Sequence, residues 1–247
     1  MIMRLFLIGL LSLSLNARSA NDTPDWHLYP SYARHLCRLP AAHKKAIFFR
    51  ADTDEKIVAL TFDDGPLKRT PALLKLLKQR HTAATFFLLA PQVNQHNALL
   101  YDDPLFEAAL HGYHHLDFRR LSQKHIRKEL DRALTIFHAH GLHPRYFRPP
   151  FGMTSTALLH QLKKRQLTPI LWSLDSQDWH HLRGKKFIQN IHEHLTPGSV
   201  ILLHDQSTSL RDLSRLLNVI RQAGYRIVPL EELIQKGWQV PCPQPDR

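Results

Sequence analysis

The stretch that decides the fold is KIVALTFDDGPL, residues 56–67. An apolar run over residues 57–62 ends in two adjacent carboxylates, Asp63 and Asp64, and then in Gly65 and Pro66. An apolar run of this length, bounded by turn residues, reads as a buried strand. Like charges a few ångströms apart repel, so the pair is costly unless something positive sits beside it. Asp-Gly and Gly-Pro are strong turn signals, which is one explanation of the pair. A bound cation is the other.

Outward from this stretch, apolar runs alternate with helical patterns. Further strands are expected at 84–89, 146–148, 169–174, 199–203 and 225–228. Thr70-Pro71 opens a helix filled by Leu73, Leu74, Leu76 and Leu77, with Pro at the first helical position. Ser122 opens another, where Ile126, Leu130, Ala133, Leu134 and Phe137 recur at helical spacing and Gly141 closes it. Helices are expected also at 154–166, 185–195, 210–223 and 231–236. Such alternation predicts an α/β fold with a parallel sheet covered by helices, either open or closed into a barrel. In both forms ligands meet the carboxyl ends of the strands. The informative residues fall there: Asp63-Asp64, then RPPFG (148–152), then DSQDW (175–179), then His204-Asp205.

HGYHH, residues 111–115, places His111 and His115 four apart, which predicts two imidazoles on one face of a helical turn. In a chain with 18 histidines that spacing alone is weak. Beside a carboxylate it means more. Two His and one Asp form a three-ligand site with an open position for water, as catalytic zinc requires. Non-haem iron uses the same ligand set. A cation would neutralise one carboxylate of the pair and leave the other as a base. Asp102-Asp103 is a second acidic pair, but Pro104 and a helical pattern follow it, so helix capping is the expected role there.

TFDDGP (61–66), HGYHH (111–115), RPPFG (148–152), DSQDW (175–179) and LLH (202–204) follow the order and spacing of five motifs. In this the chain resembles the polysaccharide deacetylases, carbohydrate esterase family 4, with the NodB homology domain. The resemblance spans about residues 57–228. It implies a distorted, incomplete (β/α) barrel and a divalent metal, zinc first, with cobalt or nickel as alternatives. It implies that Asp64, His111 and His115 hold the metal and that Asp63 is the general base, oriented by Arg148. The backbone N–H of Phe151 would stabilise the oxyanion. His204 would be the general acid, tuned by Asp178. Trp179 and Leu202 would line the pocket for the acetyl methyl, and Asp175 would join them on the substrate side. The expected activity is hydrolysis of N-acetyl groups on an amino-sugar polymer of the cell envelope: peptidoglycan, poly-N-acetylglucosamine or chitin-type oligomers.

Three departures stand out. Gly112 occupies a position where Ser or Thr is usual, Leu116 one where Pro is common, and FEAALH lacks the usual Gly-His-Glu lead-in to the first metal histidine. His114 is an alternative ligand to His115, although the family register favours His115.

The chain has 247 residues, 43% of them apolar, an ordinary globular composition. Residues 1–20 combine a basic start, an apolar run at 5–15 and small residues, which reads as a signal peptide cleaved near Ser19 or Ala20. A membrane anchor is the alternative, but the run is short for a span. The expected layout is a signal at 1–20, a leader packing on the domain at 21–55, a deacetylase domain at 56–237 and a tail at 238–247. Export to the periplasm or outside follows. An oxidising compartment then permits a Cys37–Cys242 disulfide, two free thiols being the alternative. The net charge of +12 would fall to +10 without Arg4 and Arg18. It suits anionic surfaces, but the cations are scattered and no nucleic-acid-binding motif is present. The expected partner is therefore a polysaccharide, with neither nucleic acid nor an integral membrane domain.

Three other readings compete with this one. An O-acetyl esterase, for instance on acetylated xylan, would use the same machinery. A non-catalytic polysaccharide-binding module would show a lost ligand or base, and none is lost. An iron-dependent oxygenase would need a jelly roll, against the strand-helix alternation.

Overall fold

The structure, a computed structural model, describes residues 36–238. The expected signal peptide, the first part of the leader and nearly all of the expected tail lie outside the described residues. Cys37 is disulfide-bonded; the chain's other cysteine, Cys242, lies outside the described residues.

Eight parallel-paired strands form the sheet: β1 (Ile57–Gly65), β2 (Ala84–Leu88), β3 (Phe106–Leu110), β4 (Tyr146–Phe147), β5 (Thr168–Pro169), β6 (Leu174–Asp175), β7 (Val200–His204) and β8 (Arg226–Ile227). The order across the sheet is β5-β4-β3-β2-β1-β7-β6, and β8 pairs with the amino end of β1. Among the described residues the sheet is covered by helices α1 (Ala41–Lys44), α2 (Thr70–Gln79), α3 (Gln95–Ala98), α4 (Gln123–Ala139), α5 (Thr156–Lys164), α6 (Gly184–His194), α7 (Leu210–Gln222) and α8 (Leu230–Gln235). The architecture is a curled, incomplete (β/α) barrel. β1 is an interior strand, between β2 and β7, and its residues 57–63 are all buried because neighbours cover both faces. Phe62 stacks on Phe86 of β2 at 5.1 Å between ring centroids, extending the core along the strand pair.

Ser122 opens its helix as the sequence reading expects, and two further serines do the same. The side chains of Ser122, Ser155 and Ser209 accept from the backbone N–H groups of His125, Leu158 and Asp212, capping α4, α5 and α7. α4 buries Ile126, Leu130, Ala133 and Phe137, the spacing expected of one helix face.

Two expectations are corrected. The helical pattern after Asp102-Asp103 is strand β3, paired residue for residue with β2 from Ala84↔Phe106 to Leu88↔Leu110. Glu107, Ala108, Ala109 and Leu110 favour helix intrinsically, but pairing with β2 overrides that preference. Asp103 closes a turn instead of capping a helix: its Oδ1 accepts from the Leu105 N–H at 3.1 Å, and it pairs with Lys78 at 2.7 Å. The single strand expected at 169–174 is two, β5 and β6, on opposite edges of the sheet.

Between those edges the chain crosses directly, without a helix, and a short N-terminal stretch lies over the crossing. The Phe48 N–H donates to Pro169 O, and Phe48 O accepts from the Leu171 N–H. Two residues on, Arg50 pairs antiparallel with Ser199, and the Ala51 N–H donates to Gly198 O at 3.0 Å. Residues 48–51 thus link β5 to the start of β7.

At Gly198, with φ +77°, an added Cβ would meet Ala51 O at 2.5 Å. At Gly141, with φ +76°, nothing lies within 4 Å. Both Gly→Ala changes incur the left-handed penalty of about 1–2 kcal/mol. G198A must also displace backbone, so it is expected to cost at least about 1 kcal/mol more than G141A. Denaturant unfolding of the two variants measures the difference.

Candidate active site

Strand register brings the motif residues together at one end of the sheet. Asp63 stands opposite Phe87 of β2 on one side and His204 of β7 on the other. His111 directly follows β3, Arg148 directly follows β4, and Asp175 ends β6 opposite Leu202. At Asp64 the β1–β2 register slips, and Asp64 takes a left-handed φ of 67°. That irregularity separates the environments of two consecutive carboxylates.

Asp64 belongs to a trio. Its Oδ1 lies 3.6 Å from His111 Nε2 and 3.5 Å from His115 Nε2. Tetrahedral zinc with ligands at 2.0–2.1 Å places ligand atoms about 3.4 Å apart, so the three atoms have the spacing of a cation's ligands. Asp64 Oδ1 is also buried with no hydrogen-bond partner. An orphaned carboxylate oxygen facing two imidazole nitrogens is stable only if something positive completes it. His111 Nδ1 lies 2.7 Å from Arg148 O. A carbonyl only accepts, so Nδ1 carries the proton and Nε2 keeps its lone pair for a cation. Burial pulls the His111 pKa down to about 3 against the pull of Asp64, so the ring is neutral at neutral pH. Among the described residues no other set of three His, Cys, Asp or Glu converges in this way.

Asp63 belongs to Arg148. Arg148 is fully buried, and its Nη1 donates to Asp63 Oδ1 at 2.7 Å and to Thr61 Oγ1 at 2.8 Å. Its Nη2 donates to Leu171 O at 3.1 Å, and its guanidinium lies 4.0 Å over the Phe87 ring. The second oxygen, Asp63 Oδ2, is 3.7 Å from His111 Nε2 and so faces the trio. Burial raises the Asp63 pKa above the ordinary carboxylate value, with Arg148 and then His204 pulling the other way.

On the far wall, His204 Nδ1 and Asp178 Oδ1 are 2.7 Å apart, and the His204 N–H donates to Asp178 Oδ2 at 2.8 Å. Burial works against a charged imidazole, but the Asp178 hydrogen bond and charge, helped by Asp63 and Asp64, lift His204 to about 9. Burial likewise works against the Asp178 carboxylate, yet bonds from His204 and Thr208 hold its pKa below the ordinary value.

Asp63, Asp64, His111, His115 and His204 line one cavity of about 280 Å³ together with Phe151, Trp172, Asp175, Trp179, Leu202 and Gln206. Phe151 and Trp179 are half-exposed at its rim, at 55% and 51%. The Trp179 indole N–H donates to Asp175 Oδ1 at 3.2 Å, which steadies the ring. Burial raises the Asp175 pKa, the Gln177 N–H and Trp179 opposing. Phe151 takes a left-handed φ of 60° and sets its ring edge-on against His115, centroids 4.5 Å apart.

Of the predicted site residues, all but Arg148 and Asp178 line this cavity; Arg148 is buried behind Asp63 and Asp178 stands behind His204. The helical turn expected at 111–115 is absent: those residues form an irregular loop. The imidazoles meet because β3 delivers one and the loop curls back with the other. His114 does not compete as a ligand, because its Nδ1 and backbone N–H both meet Glu129, at 2.9 and 3.0 Å. Gly112, with φ +104°, sits where a side chain is strained, which explains its presence in this loop. Trp172, Gln206 and Thr61 went unrecognised. Trp172 lies in the motif-free crossing between β5 and β6, and only the fold turns it inward. Gln206 donates to Asp64 Oδ2 at 3.4 Å, and its place two residues after His204 was the available signal.

A family model described as polysaccharide deacetylase matches residues 50–170. Over 199 residues the chain is 30% identical to a peptidoglycan-N-acetylglucosamine deacetylase of Bacillus cereus, covering 76% of this chain and 93% of that protein. It is also 30% identical over 208 residues to peptidoglycan-N-acetylglucosamine deacetylase PgdA of Listeria monocytogenes, covering 82% of this chain. The chain spans 44% of the length of that relative. Among solved structures, a CE4 family pseudoenzyme from Bacillus anthracis superposes with a TM-score of 0.72 at 26% identity, covering 78% of this chain and 70% of that one.

Removing one partner of a buried ion pair leaves the other charge uncompensated. R148M is therefore expected to cost about 3–5 kcal/mol. The double variant D63N/R148M should cost less than the sum of the two single changes, because it leaves no bare charge. A denaturant double-mutant cycle measures that coupling.

Proposed function

The chain belongs to the polysaccharide deacetylase family, and on that premise we propose that it is an exported, metal-dependent deacetylase of N-acetylated amino-sugar polymers. The products are acetate and a free amine. Peptidoglycan, poly-N-acetylglucosamine and chitin-type oligomers are the candidate substrates. The observation that carries this reading is the split between two consecutive carboxylates, Asp63 on a buried arginine and Asp64 Oδ1 on two imidazoles. The peptidoglycan activity named for the relatives supports the choice of polymer. The pseudoenzyme among the similar structures makes each side chain matter, and here Asp63, Asp64, His111, His115, Arg148 and His204 are all in place.

Asp64, His111 and His115 would hold the divalent cation, with zinc suited to the N/O ligand set. Bound there, it would act as a Lewis acid toward the acetamide carbonyl and acidify a water molecule. Asp63 Oδ2, facing the trio, takes the proton from the attacking water, and Arg148 keeps Oδ1 occupied so that only Oδ2 is available. The Phe151 N–H donates to the developing oxyanion. Water adds to the carbonyl carbon, the C–N bond breaks, and the nitrogen leaves with a proton from His204 Nε2. Asp178 holds the other ring nitrogen and keeps the imidazole charged for that step. Leu202, Trp172 and Trp179 wall the space for the acetyl methyl.

Acetate release from N-acetylglucosamine oligomers and peptidoglycan is expected to stop on chelation, return with zinc and fall by at least about 10²-fold in D63N. Release from acetylated xylan alone would place the activity on esters. His204 must carry its proton to act, and a site raised to about 9 loses it as pH rises through that value, so the rate should fall above about pH 9. D178N removes the main groups that raise that pKa and should move the basic limb down by roughly one unit or more, read from kcat/KM against pH.

A further inference from the structure

The two imidazoles of the trio are held very differently. His111 is locked three ways: its N–H donates to Leu88 O at 2.9 Å, its Nδ1 to Arg148 O at 2.7 Å, and the residue is buried. His115 is partly exposed, its side chain at 31%. Its ring meets Asp64, His111 and Phe151, and no hydrogen bond from the described residues reaches its second ring nitrogen. A metal-ligating histidine is ordinarily oriented through that second nitrogen. His115 must be oriented through its backbone instead.

That backbone is clamped one residue earlier. Glu129 lies on the buried face of α4, and its carboxylate accepts twice from the same residue: Oε2 from the His114 N–H at 3.0 Å, Oε1 facing His114 Nδ1 at 2.9 Å. A buried acid in a helix is expensive unless its oxygens are satisfied, and His114 supplies a bond to each. The loop lacks regular secondary structure; besides this clamp, Gly112 O accepts from the Ala90 N–H, and the Tyr113 ring packs on the core with the Arg132 guanidinium of α4 5.2 Å from its centroid. We infer that Glu129 is a positioning residue for the metal site: by gripping His114 at backbone and ring, it sets where His115 Nε2 stands relative to Asp64 and His111. This inference rests on the metal-dependent reading above. Helix α4, fixed by its own core contacts, thereby becomes the rigid support for a ligand carried on a loop.

Zinc affinity of the folded protein, by competition with a chromogenic chelator, tests this without reference to turnover. E129M keeps the side-chain length and apolar packing but cannot accept a hydrogen bond. It should weaken zinc binding by about tenfold or more, the effect expected on losing an outer-shell support. E129Q keeps an oxygen for the His114 N–H and should fall between E129M and the wild type. Circular dichroism and a metal-free melting curve establish that each variant is folded, and E129Q decides alone if E129M is not. A purely structural role for Glu129 would lower the metal-free melting temperature and leave affinity within twofold of the wild type, which would overturn the inference while leaving the deacetylase reading intact. Failure of the wild type itself to bind zinc would remove both.

Discussion

A charged guanidinium with no exposure to solvent is the constraint on which this site depends. Arg148 can be buried because four acceptors meet its fork: Asp63 and Thr61 from β1, and Leu171 O and Ile170 O from the crossing between the sheet edges, at 3.1 and 3.4 Å. Phe87 and Trp172 cover its faces. One side chain therefore ties the end of β4 to the end of β1 and to the open seam of the barrel. Asp63, the proposed base, is placed by the same contacts that close the fold. A change there is felt in stability and in chemistry together.

The carbonyl of that arginine extends the constraint to the cation site. Arg148 O accepts from His111 Nδ1, which sets the tautomer and leaves Nε2 free toward Asp64. The left-handed backbone at Asp64 does the rest, giving adjacent carboxylates separate partners. Repulsion between them is relieved on one side by Arg148 and on the other by the cation that the orphaned Asp64 Oδ1 calls for. Opposite, the His204–Asp178 pair keeps a proton in reserve. Asp63, the proposed base, and His204, the proposed acid, thus both have pKa values displaced upward, the direction those roles require.

Much of this was legible in the sequence because parallel strands buried on both faces write themselves as apolar runs, and their carboxyl ends then locate the chemistry. β1, β2 and β7 and the residues at their ends were readable for that reason. β3 was not: Glu107, Ala108 and Ala109 are helix formers, and only pairing with β2 makes them a strand. The i, i+4 spacing of His111 and His115 suggested a helix that does not exist, since a strand end and a loop reach the same geometry. Glu129, Thr61 and Trp172 were invisible because their roles depend on contacts 15 to more than 80 residues away in the chain.

Consecutive aspartates serve different partners, and zinc titration of D64N and D63N by calorimetry separates them. D64N should lose zinc binding by at least about 10²-fold, whereas D63N should bind within a few-fold of the wild type, since Asp63 belongs to Arg148 and not to the cation. Equal losses in the two variants, or the larger loss in D63N, would contradict the assignment.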